Sequence, residues 1–316
     1  MDIPFKKVEL EDKALIDRYL IKKTHRSCEL IFANIYLWKR FYPTEFAVVE
    51  DTLVFRSFTE SDSMSITFPA GEEAQIRKAL DVLFAYFEER NMPIRMHLVQ
   101  EQEFELLTQW YPGRFFIEYD RDSADYVYET EKLTTLAGKK LHGKRNHINN
   151  FKKQYPDWSY ERITEANKEE CFRMALKWRQ DHVCDYGDDE EDEQEEEKRD
   201  ELCVALNALR LMDELELVGG LLRAGGEVVA FTIGEPLNAD TFVVHIEKAF
   251  ADIQGAYPMI NQQFVEHEAQ DFKYVNREED TGSEGLRKAK LSYYPVFLVN
   301  KGLVREIKEE EKHDQD

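Results

Sequence analysis

The amino-acid sequence predicts an α+β (mixed α/β) protein in which two tandem halves repeat one fold. Each half contains two helices, then three short strands, and then helices and strands in alternation. The chain has 316 residues, and because one hydrophobic core seldom serves so many, two domains of roughly 150 residues are expected. Hydrophobic residues make up 42% of the chain, which is enough apolar material for two cores.

In the N-terminal half, segments whose apolar residues recur at helical spacing alternate with segments whose apolar residues alternate as in strands. Apolar residues at helical spacing predict its helices, and alternating apolar residues predict its strands. The predicted order is helices 11–22 and 29–38, strands 46–50, 53–58 and 64–68, helix 72–89, strand 94–98, helix 102–110 and strand 115–119. We expect this half, residues 1–130, to be the degenerate copy.

A basic segment connects the halves at residues 131–157. Residues 132–156 contain no acidic residue, although the chain has a formal net charge of −22. Ile148, Phe151 and Tyr155 lie at helical spacing, so they predict an amphipathic helix that carries Lys144, Arg145 and Asn146. Phosphates or a nucleic-acid end are the ligands expected for such a helix. The alternative is a connecting helix whose cations pair with the acidic surface.

The C-terminal half, residues 158–316, repeats the pattern more clearly. Gly225 and Gly226 predict a tight hairpin turn between its first two strands. Pro258 is suited to the first turn of a helix. The predicted order is helices 168–181 and 199–214, strands 217–222, 227–234 and 241–247, a helix from 258, strand 273–276, helix 284–293 and strand 296–303.

The acidic charge is concentrated in one run, residues 188–197, which contains nine acidic residues. We expect this run to be a mobile, solvated loop, and as a second hypothesis it attracts a cationic acceptor. The overall charge disfavours general binding of nucleic acid. No stretch reaches the roughly 20 apolar residues of a membrane helix, and the cysteines form no CxxC pair. We therefore expect a cytoplasmic protein with reduced thiols and no metal site.

The turn before the predicted helix at 258 is a candidate phosphate site. Gln254, Gly255 and Ala256 precede that helix, and a helix N-terminus offers free N–H groups and a partial positive charge to a phosphate. The alternative is a purely structural turn.

The strand 241–247 supplies the candidate catalytic residues. Strict alternation places His245 and Glu247 on one face, where either side chain can accept a proton from an attacking amine. Tyr257 is a candidate acid for the leaving group. The alternative is that all three are structural.

A polar group follows the predicted strand 273–276, at the end where open α/β sheets commonly bind ligands. Its members are Asn276, Arg277, Glu278 and Asp280. The next helix adds Arg287 and Lys290 as neighbours at i and i+3. The alternative is a solvated loop.

Several segments together resemble a bacterial family related to the C-terminal domain of phosphatidylglycerol lysyltransferase: 133–142 with 144–146, 247–249 with 255–257, 276–280 and 284–290. The resemblance covers nearly the whole chain. It implies two tandem GNAT-like (acyl-CoA N-acyltransferase-like) domains, as in the Fem transferases, and supports a ligand role for Arg287 and Lys290. From this sequence we expect no counterpart of the membrane domain that the lysyltransferases carry.

The function expected from these observations is transfer of an acyl or aminoacyl group to an amine or hydroxyl acceptor. The co-substrate would be acyl-CoA or aminoacyl-tRNA, with no tightly bound cofactor, and tRNA would contact the local basic patch. A small molecule, a lipid headgroup or a peptide would be the acceptor. Asp252 and Tyr257 depart from the usual pyrophosphate-binding pattern of GNAT enzymes and weaken the coenzyme A alternative. A non-catalytic binding or regulatory module that kept the fold is the rival interpretation.

Overall fold

The computed structural model describes residues 2–21, 25–58, 63–183 and 193–307. The chain forms two compact units. Unit 1 comprises residues 1–125, 279–284 and 298–316, and unit 2 comprises residues 126–278 and 285–297. Within the described residues, no helix combines the length and apolar composition needed to cross a membrane.

The helices and strands follow one another in the described parts of the chain, with a 3-10 turn at Leu10–Asp12. In order they are β1 (Lys6–Lys7), α1 (Lys13–Leu20), α2 (Phe32–Trp38), β2 (Thr44–Val49), β3 (Thr52–Phe58), β4 (Met64–Thr67), α3 (Glu73–Glu89), β5 (Arg95–Gln100), α4 (Glu101–Trp110), β6 (Phe115–Glu129), α5 (Thr130–Thr135), α6 (His142–Gln154), β7 (Ser159–Arg162), α7 (Lys168–Val183), α8 (Glu193–Arg210), β8 (Val218–Ala224), β9 (Glu227–Pro236), β10 (Thr241–Ala249), α9 (Ala256–Glu268), β11 (Tyr274–Asn276), α10 (Glu284–Leu291) and β12 (Phe297–Glu306).

Unit 1 is built on a mixed sheet with the strand order β1-β2-β3-β4-β5-β12 and then the first part of β6. Strands β2, β3 and β4 form an antiparallel meander, and β5 lies parallel to β4 after the crossover through α3. The buried residues of α3 recur at helical spacing on one face, for example Ile76, Leu80 and Phe87, and pack into the core of this unit.

Unit 2 repeats this topology with the strand order β6-β11-β10-β9-β8-β7, where β6 contributes its last residues. Strands β8, β9 and β10 form the meander, and β11 lies parallel to β10 after α9. Gly225 and Gly226 join β8 to β9 with positive φ angles of 59° and 81°, the left-handed pair that a tight hairpin requires. The mixed α/β class and the tandem repeat of one topology are therefore confirmed.

Three features differ from the sequence-based expectations. The residues numbered 193–197 of the acidic run begin α8 rather than forming a loop, because Glu and Gln favour helices and acidic groups stabilise a helix N-terminus; the rest of the run lies outside the described residues. The basic segment forms two helices, α5 and α6, since Leu136 and Gly138 between them have positive φ. Strand β12 pairs with β5 and thus belongs to unit 1. The predicted domain boundaries had assigned this strand to the C-terminal half, residues 158–316.

Candidate functional site

A polar group in unit 2 centres on the carboxylate of Glu247 in β10. Arg277, directly after β11, donates from Nη2 to Oε1 of Glu247 at 2.9 Å. Asn261 in α9 donates from Nδ2 to Oε2 at 2.9 Å. The two charged side chains are 12% and 13% exposed, so the ion pair is largely removed from water. The parallel pairing of β10 with β11 brings the strand end that precedes Arg277 beside β10.

The two groups that hold Glu247 each keep one polar atom without a hydrogen-bond partner. These atoms are Nη1 of Arg277, a donor, and Oδ1 of Asn261, an acceptor, and both are buried. Buried polar atoms are nearly always paired in folded proteins, and leaving one unpaired costs about 1–3 kcal/mol. An unpaired donor and an unpaired acceptor around one carboxylate are therefore the features expected of a polar ligand site.

Two aromatic rings and a lysine surround the guanidinium of Arg277. Its Cζ lies 4.9 Å from the ring centroid of Tyr293 and 5.8 Å from that of Tyr128. Lys144 in α6 places Nζ 4.0 Å over the ring of Tyr293. Burial and the neighbouring positive charge of Arg277 lower the pKa of Lys144, and Glu247 opposes this shift. With one carboxylate and two cations, the group has a net positive charge that suits an oxyanion or a phosphate.

The chain matches a known protein family over most of its length. The sequence profile described as phosphatidylglycerol lysyltransferase, C-terminal, matches residues 22–303. The chain belongs to this family. The fold agrees: the structure of L-PGS from Bacillus licheniformis has a TM-score of 0.63 at 14% identity and covers 93% of this chain and 91% of its own.

Two further proteins similar to this member of the phosphatidylglycerol lysyltransferase C-terminal family are uncharacterised. A conserved protein from Bacteroides thetaiotaomicron has 38% identity and a TM-score of 0.88, over 97% of this chain and 100% of its own. A protein of Mycoplasmoides gallisepticum is 28% identical over 204 residues, which are 63% of this chain. The chain spans 62% of the length of that curated relative.

His245 and Glu247 contact different residues in the structure. The register of β10 shifts between Val244 and Ile246, and this bulge at His245 breaks the strict alternation that predicted a common face. The ring of His245 contacts Glu278 through Nδ1 at 2.8 Å and Glu235 through Nε2 at 3.0 Å. Burial opposes the charge on the ring, but these two carboxylates outweigh it and raise the pKa of His245 to about 10. At neutral pH both nitrogens therefore carry protons, and the ring has no lone pair to accept another.

The candidate phosphate turn packs against α6. Gly255 caps α9 with a φ of 89°, and a Cβ at this position would lie 2.5 Å from the carbonyl oxygen of His147. Gln254 beside it is exposed and Ala256 is buried. Tyr257 follows in the first turn of α9, and burial raises the pKa of its hydroxyl. The close approach of α6 explains the glycine without a ligand.

The three residues of α6 that were predicted as ligands have different contacts. Lys144 belongs to the Glu247 site, as described above. Arg145 instead donates to the carbonyl oxygens of Leu136 and Gly138 and so braces the turn before α6. Asn146 is exposed and bonds the ring of His142 at 3.1 Å. Of the three predicted donor ligands in this helix, the structure brings only Lys144 to Glu247.

The predicted polar group after β11 is divided between the units. Asn276 accepts the backbone N–H of Glu278 at 2.7 Å and is fully buried. Asp280 belongs to unit 1, where it bonds Arg121 at 3.4 Å. Arg277 is the member of this group that bonds Glu247. The backbone turns directly after it, since Glu278 has a positive φ of 57°, and sequence spacing alone did not reveal this turn.

Arg287 and Lys290 differ in burial although both lie in α10. Arg287 is half-buried. Lys290 is 8% exposed and donates to the backbone carbonyl of Arg277 at 2.8 Å. It therefore stabilises the backbone position of Arg277. Tyr128 secures the helix by donating its hydroxyl to the carbonyl oxygen of Lys290 at 2.8 Å.

Sequence reasoning missed Asn261, Tyr293 and Tyr128. Asn261 is 1% exposed in a helix whose neighbouring buried residues include Ile260 and Phe264. A polar residue on the apolar face of a predicted helix is the pattern that could have identified it.

Unit 1 contains a second charged group, around the fully buried Lys301. Its ammonium lies 2.7 Å from Asp125 and bonds Glu29, with Glu279 at 4.0 Å. Cys28 completes a set of four potential metal ligands whose ligand atoms lie within 4.8 Å of one another. Because Lys301 already supplies the positive charge there, the group is best described as an internal salt-bridge network.

Proposed function

We propose that this protein is an aminoacyltransferase that moves the acyl group of an aminoacyl ester, such as aminoacyl-tRNA, to an amine or hydroxyl acceptor. The observation that carries the proposal is the pair of buried unpaired atoms, Nη1 of Arg277 and Oδ1 of Asn261. An α-aminoacyl ester has a carbonyl oxygen that accepts from the first atom and an ammonium that donates to the second. The acyl group of acetyl-coenzyme A has only the carbonyl.

The turn before α9 gives separate support for an aminoacyl donor over acyl-CoA. The packing of α6 against Gly255 and the presence of Asp252 both disfavour a pyrophosphate at this helix N-terminus. Membership of the phosphatidylglycerol lysyltransferase C-terminal family agrees with this choice of donor.

The proposed reaction assigns one role to each group. The acceptor attacks the ester carbonyl, a new C–N or C–O bond forms, and the ester C–O bond breaks. Glu247 accepts the proton of the attacking group through a remaining lone pair and passes it to the leaving hydroxyl. Arg277 donates to the oxyanion that develops on the carbonyl oxygen, and Lys144 adds positive charge.

A single-turnover assay tests the proposal with lysyl-tRNA and alanyl-tRNA as donors. Phosphatidylglycerol vesicles and a lysine-containing peptide serve as separate acceptors. We expect transfer by the unaltered chain and a decrease of about 100-fold or more for Glu247→Gln. Glu266→Gln is the matched control, because Glu266 is an exposed carboxylate in α9. Full turnover by Glu247→Gln would remove the proposed base.

The same assay distinguishes the rival interpretation, a binding module that kept the fold. Such a module would retain charged tRNA without transferring the aminoacyl group to either acceptor. The rival draws support from the carboxylate of Glu247, both of whose oxygens already accept hydrogen bonds.

A further inference from the structure

The residue after Arg277 has a backbone conformation that is unfavourable for its residue type. Glu278 has a φ of 57°, in the left-handed region that glycine adopts freely and other residues adopt at a cost. Its carbonyl oxygen accepts from the backbone N–H of Tyr126 at 3.1 Å, and the N–H of Arg277 donates to the carbonyl oxygen of Tyr126 at 2.9 Å. Glycine could make the same backbone bonds, so the glutamate side chain needs a separate explanation.

The side chain of Glu278 is bound by a buried, protonated histidine. Nδ1 of His245 donates to Oε1 of Glu278 at 2.8 Å, and Nε2 donates to Oε1 of Glu235 in β9 at 3.0 Å. These three side chains are between 4% and 19% exposed. The register shift in β10 lies at His245, and bulges of this kind change the direction of a side chain. The ring therefore links β9 to the residue that follows Arg277.

Strand β10 thus contacts the segment after β11 at two points. Glu247 bonds the side chain of Arg277, and His245 bonds the side chain of Glu278. A buried ionic group seldom stabilises a protein more than apolar side chains of similar volume would. Stability alone is therefore a weak reason for burying a histidine between two carboxylates, whereas holding one unfavourable backbone conformation requires specific contacts of this kind.

We propose that His245 and Glu278 are positioning residues, which hold the backbone after Arg277 so that its guanidinium meets Glu247 in one geometry. Both act through Arg277 and not on the reacting atoms. As far as catalysis is concerned, this inference rests on the proposed function, because that function assigns Arg277 to the oxyanion and Glu247 to the proton. The geometry itself is tested without any acyl donor.

A double-mutant cycle of Arg277→Met and Glu247→Gln in the full chain measures the coupling of these two side chains as a ratio of unfolding equilibrium constants in urea. In Glu278→Ala the coupling should fall by about tenfold, because alanine lacks the bond to His245 and disfavours a positive φ. Glu278→Gly also lacks the bond but adopts the conformation freely, so its loss should be smaller, about threefold. Glu278→Gln keeps an amide oxygen that accepts from His245, so its coupling should stay within about twofold of that in the unaltered chain.

Glu216 supplies the matched control. This exposed glutamate of unit 2 follows α8 and has a φ of 59°. Glu216→Ala and Glu216→Gly repeat the same changes of residue type at a left-handed position outside the Glu247 site. Both should leave the coupling between Arg277 and Glu247 unchanged.

Undiminished coupling in Glu278→Ala, or equal losses in the alanine, glycine and glutamine variants, would overturn the proposal. Far-UV circular dichroism establishes that each variant is folded. If Glu278→Ala does not fold, the glutamine and glycine variants decide, since the first should keep more coupling than the second. In the transfer assay, Glu278→Ala should slow transfer by about tenfold or more, and Glu278→Gln should restore most of the rate. Failure of the proposed function would instead appear as no transfer by the unaltered chain, with the order of couplings unaffected.

Discussion

The guanidinium of Arg277 donates to Glu247 through Nη2 at 2.9 Å, while its buried Nη1 has no acceptor. One nitrogen of the guanidinium is thus held by the protein, whereas the other has no hydrogen-bond partner. A preorganised donor of this kind costs no reorganisation when charge develops on a substrate oxygen. Burial opposes the charge of Arg277, but Glu247 keeps the pKa of the guanidinium above its usual value.

The first prediction concerns the stability that the buried ion pair contributes. Arg277→Ala leaves the carboxylate of Glu247 without its cation, so the free energy of unfolding should fall by about 3–5 kcal/mol. Urea denaturation measures this change. Arg162→Ala is the control, because Arg162 is 61% exposed and lies 3.7 Å from Glu268; it should cost less than about 1 kcal/mol. A similar small cost for both variants would contradict the buried ion pair.

The second prediction concerns the pH dependence that His245 contributes. Its pKa is raised to about 10 in the folded protein, whereas an unfolded histidine has a pKa of about 6.5. The folded state therefore binds the proton more tightly, and the stabilisation is complete below about pH 6.5 and lost as the pH rises through about 10.

His245→Gln tests this pH dependence. Urea unfolding at pH 6, 8 and 10 should show that the unaltered chain loses more stability over this range than the variant, by more than about 1 kcal/mol. Parallel pH profiles for the two proteins would refute the charged histidine. Lysines and tyrosines titrate in both proteins, so their contribution to the pH dependence of stability is removed when one profile is subtracted from the other.

The third prediction concerns the glycine that caps α9. Gly255→Ala places a Cβ 2.5 Å from the carbonyl oxygen of His147 at a φ of 89°, so we expect a loss of about 2 kcal/mol or more. Gly143→Ala in α6 meets no atom within 4 Å and should stabilise the protein by about 0.5–1 kcal/mol. Thermal unfolding measures both. Opposite shifts in Tm support the close packing of α6 on this turn, and equal shifts speak against it.

The fourth prediction concerns the salt-bridge network of unit 1. Lys301→Met removes the cation from a group of three carboxylates, two of which lie within hydrogen-bond distance of the ammonium, and should cost about 3–5 kcal/mol. Lys139→Met, at an exposed position, is the control with little expected change.

The thiol in the same network gives a second measurement. Burial and the carboxylate of Asp125 raise the pKa of Cys28, so the folded chain should resist alkylation there by iodoacetamide at pH 8. Modification of Cys28 at the rate of an unfolded thiol would contradict its environment.

The fold could be predicted from sequence where local periodicity determines the structure. The hairpin at Gly225 and the amphipathic α3 follow from turn chemistry and helical spacing. The return of β12 to β5 could not be predicted, because a strand's pattern records its buried face but not its partner. The bulge at His245 was missed for a similar reason: an inserted residue changes which side chains share a face without changing the apparent alternation.

The site was predicted only in part. Glu247, Lys144 and Arg277 were selected from charge and position, and the structure brings them together. Asn261 was missed because one amide within a helix has no distinctive sequence pattern. Lys290 was selected for its charge, yet its direction into the protein depends on the carbonyl of Arg277, a tertiary contact that sequence spacing does not reveal.

The measurement that tests the central claim most directly is equilibrium binding of charged and uncharged tRNA, with acetyl-coenzyme A as the alternative donor. We predict tighter binding of lysyl-tRNA than of uncharged tRNA, and no preference for acetyl-coenzyme A over lysyl-tRNA. The difference between charged and uncharged tRNA should be lost in Asn261→Leu, which lacks the acceptor for the ammonium. Gln254→Leu, at an exposed position, should retain the difference. Equal affinity for charged and uncharged tRNA, or binding of acetyl-coenzyme A alone, would contradict an aminoacyl site at Arg277 and Asn261.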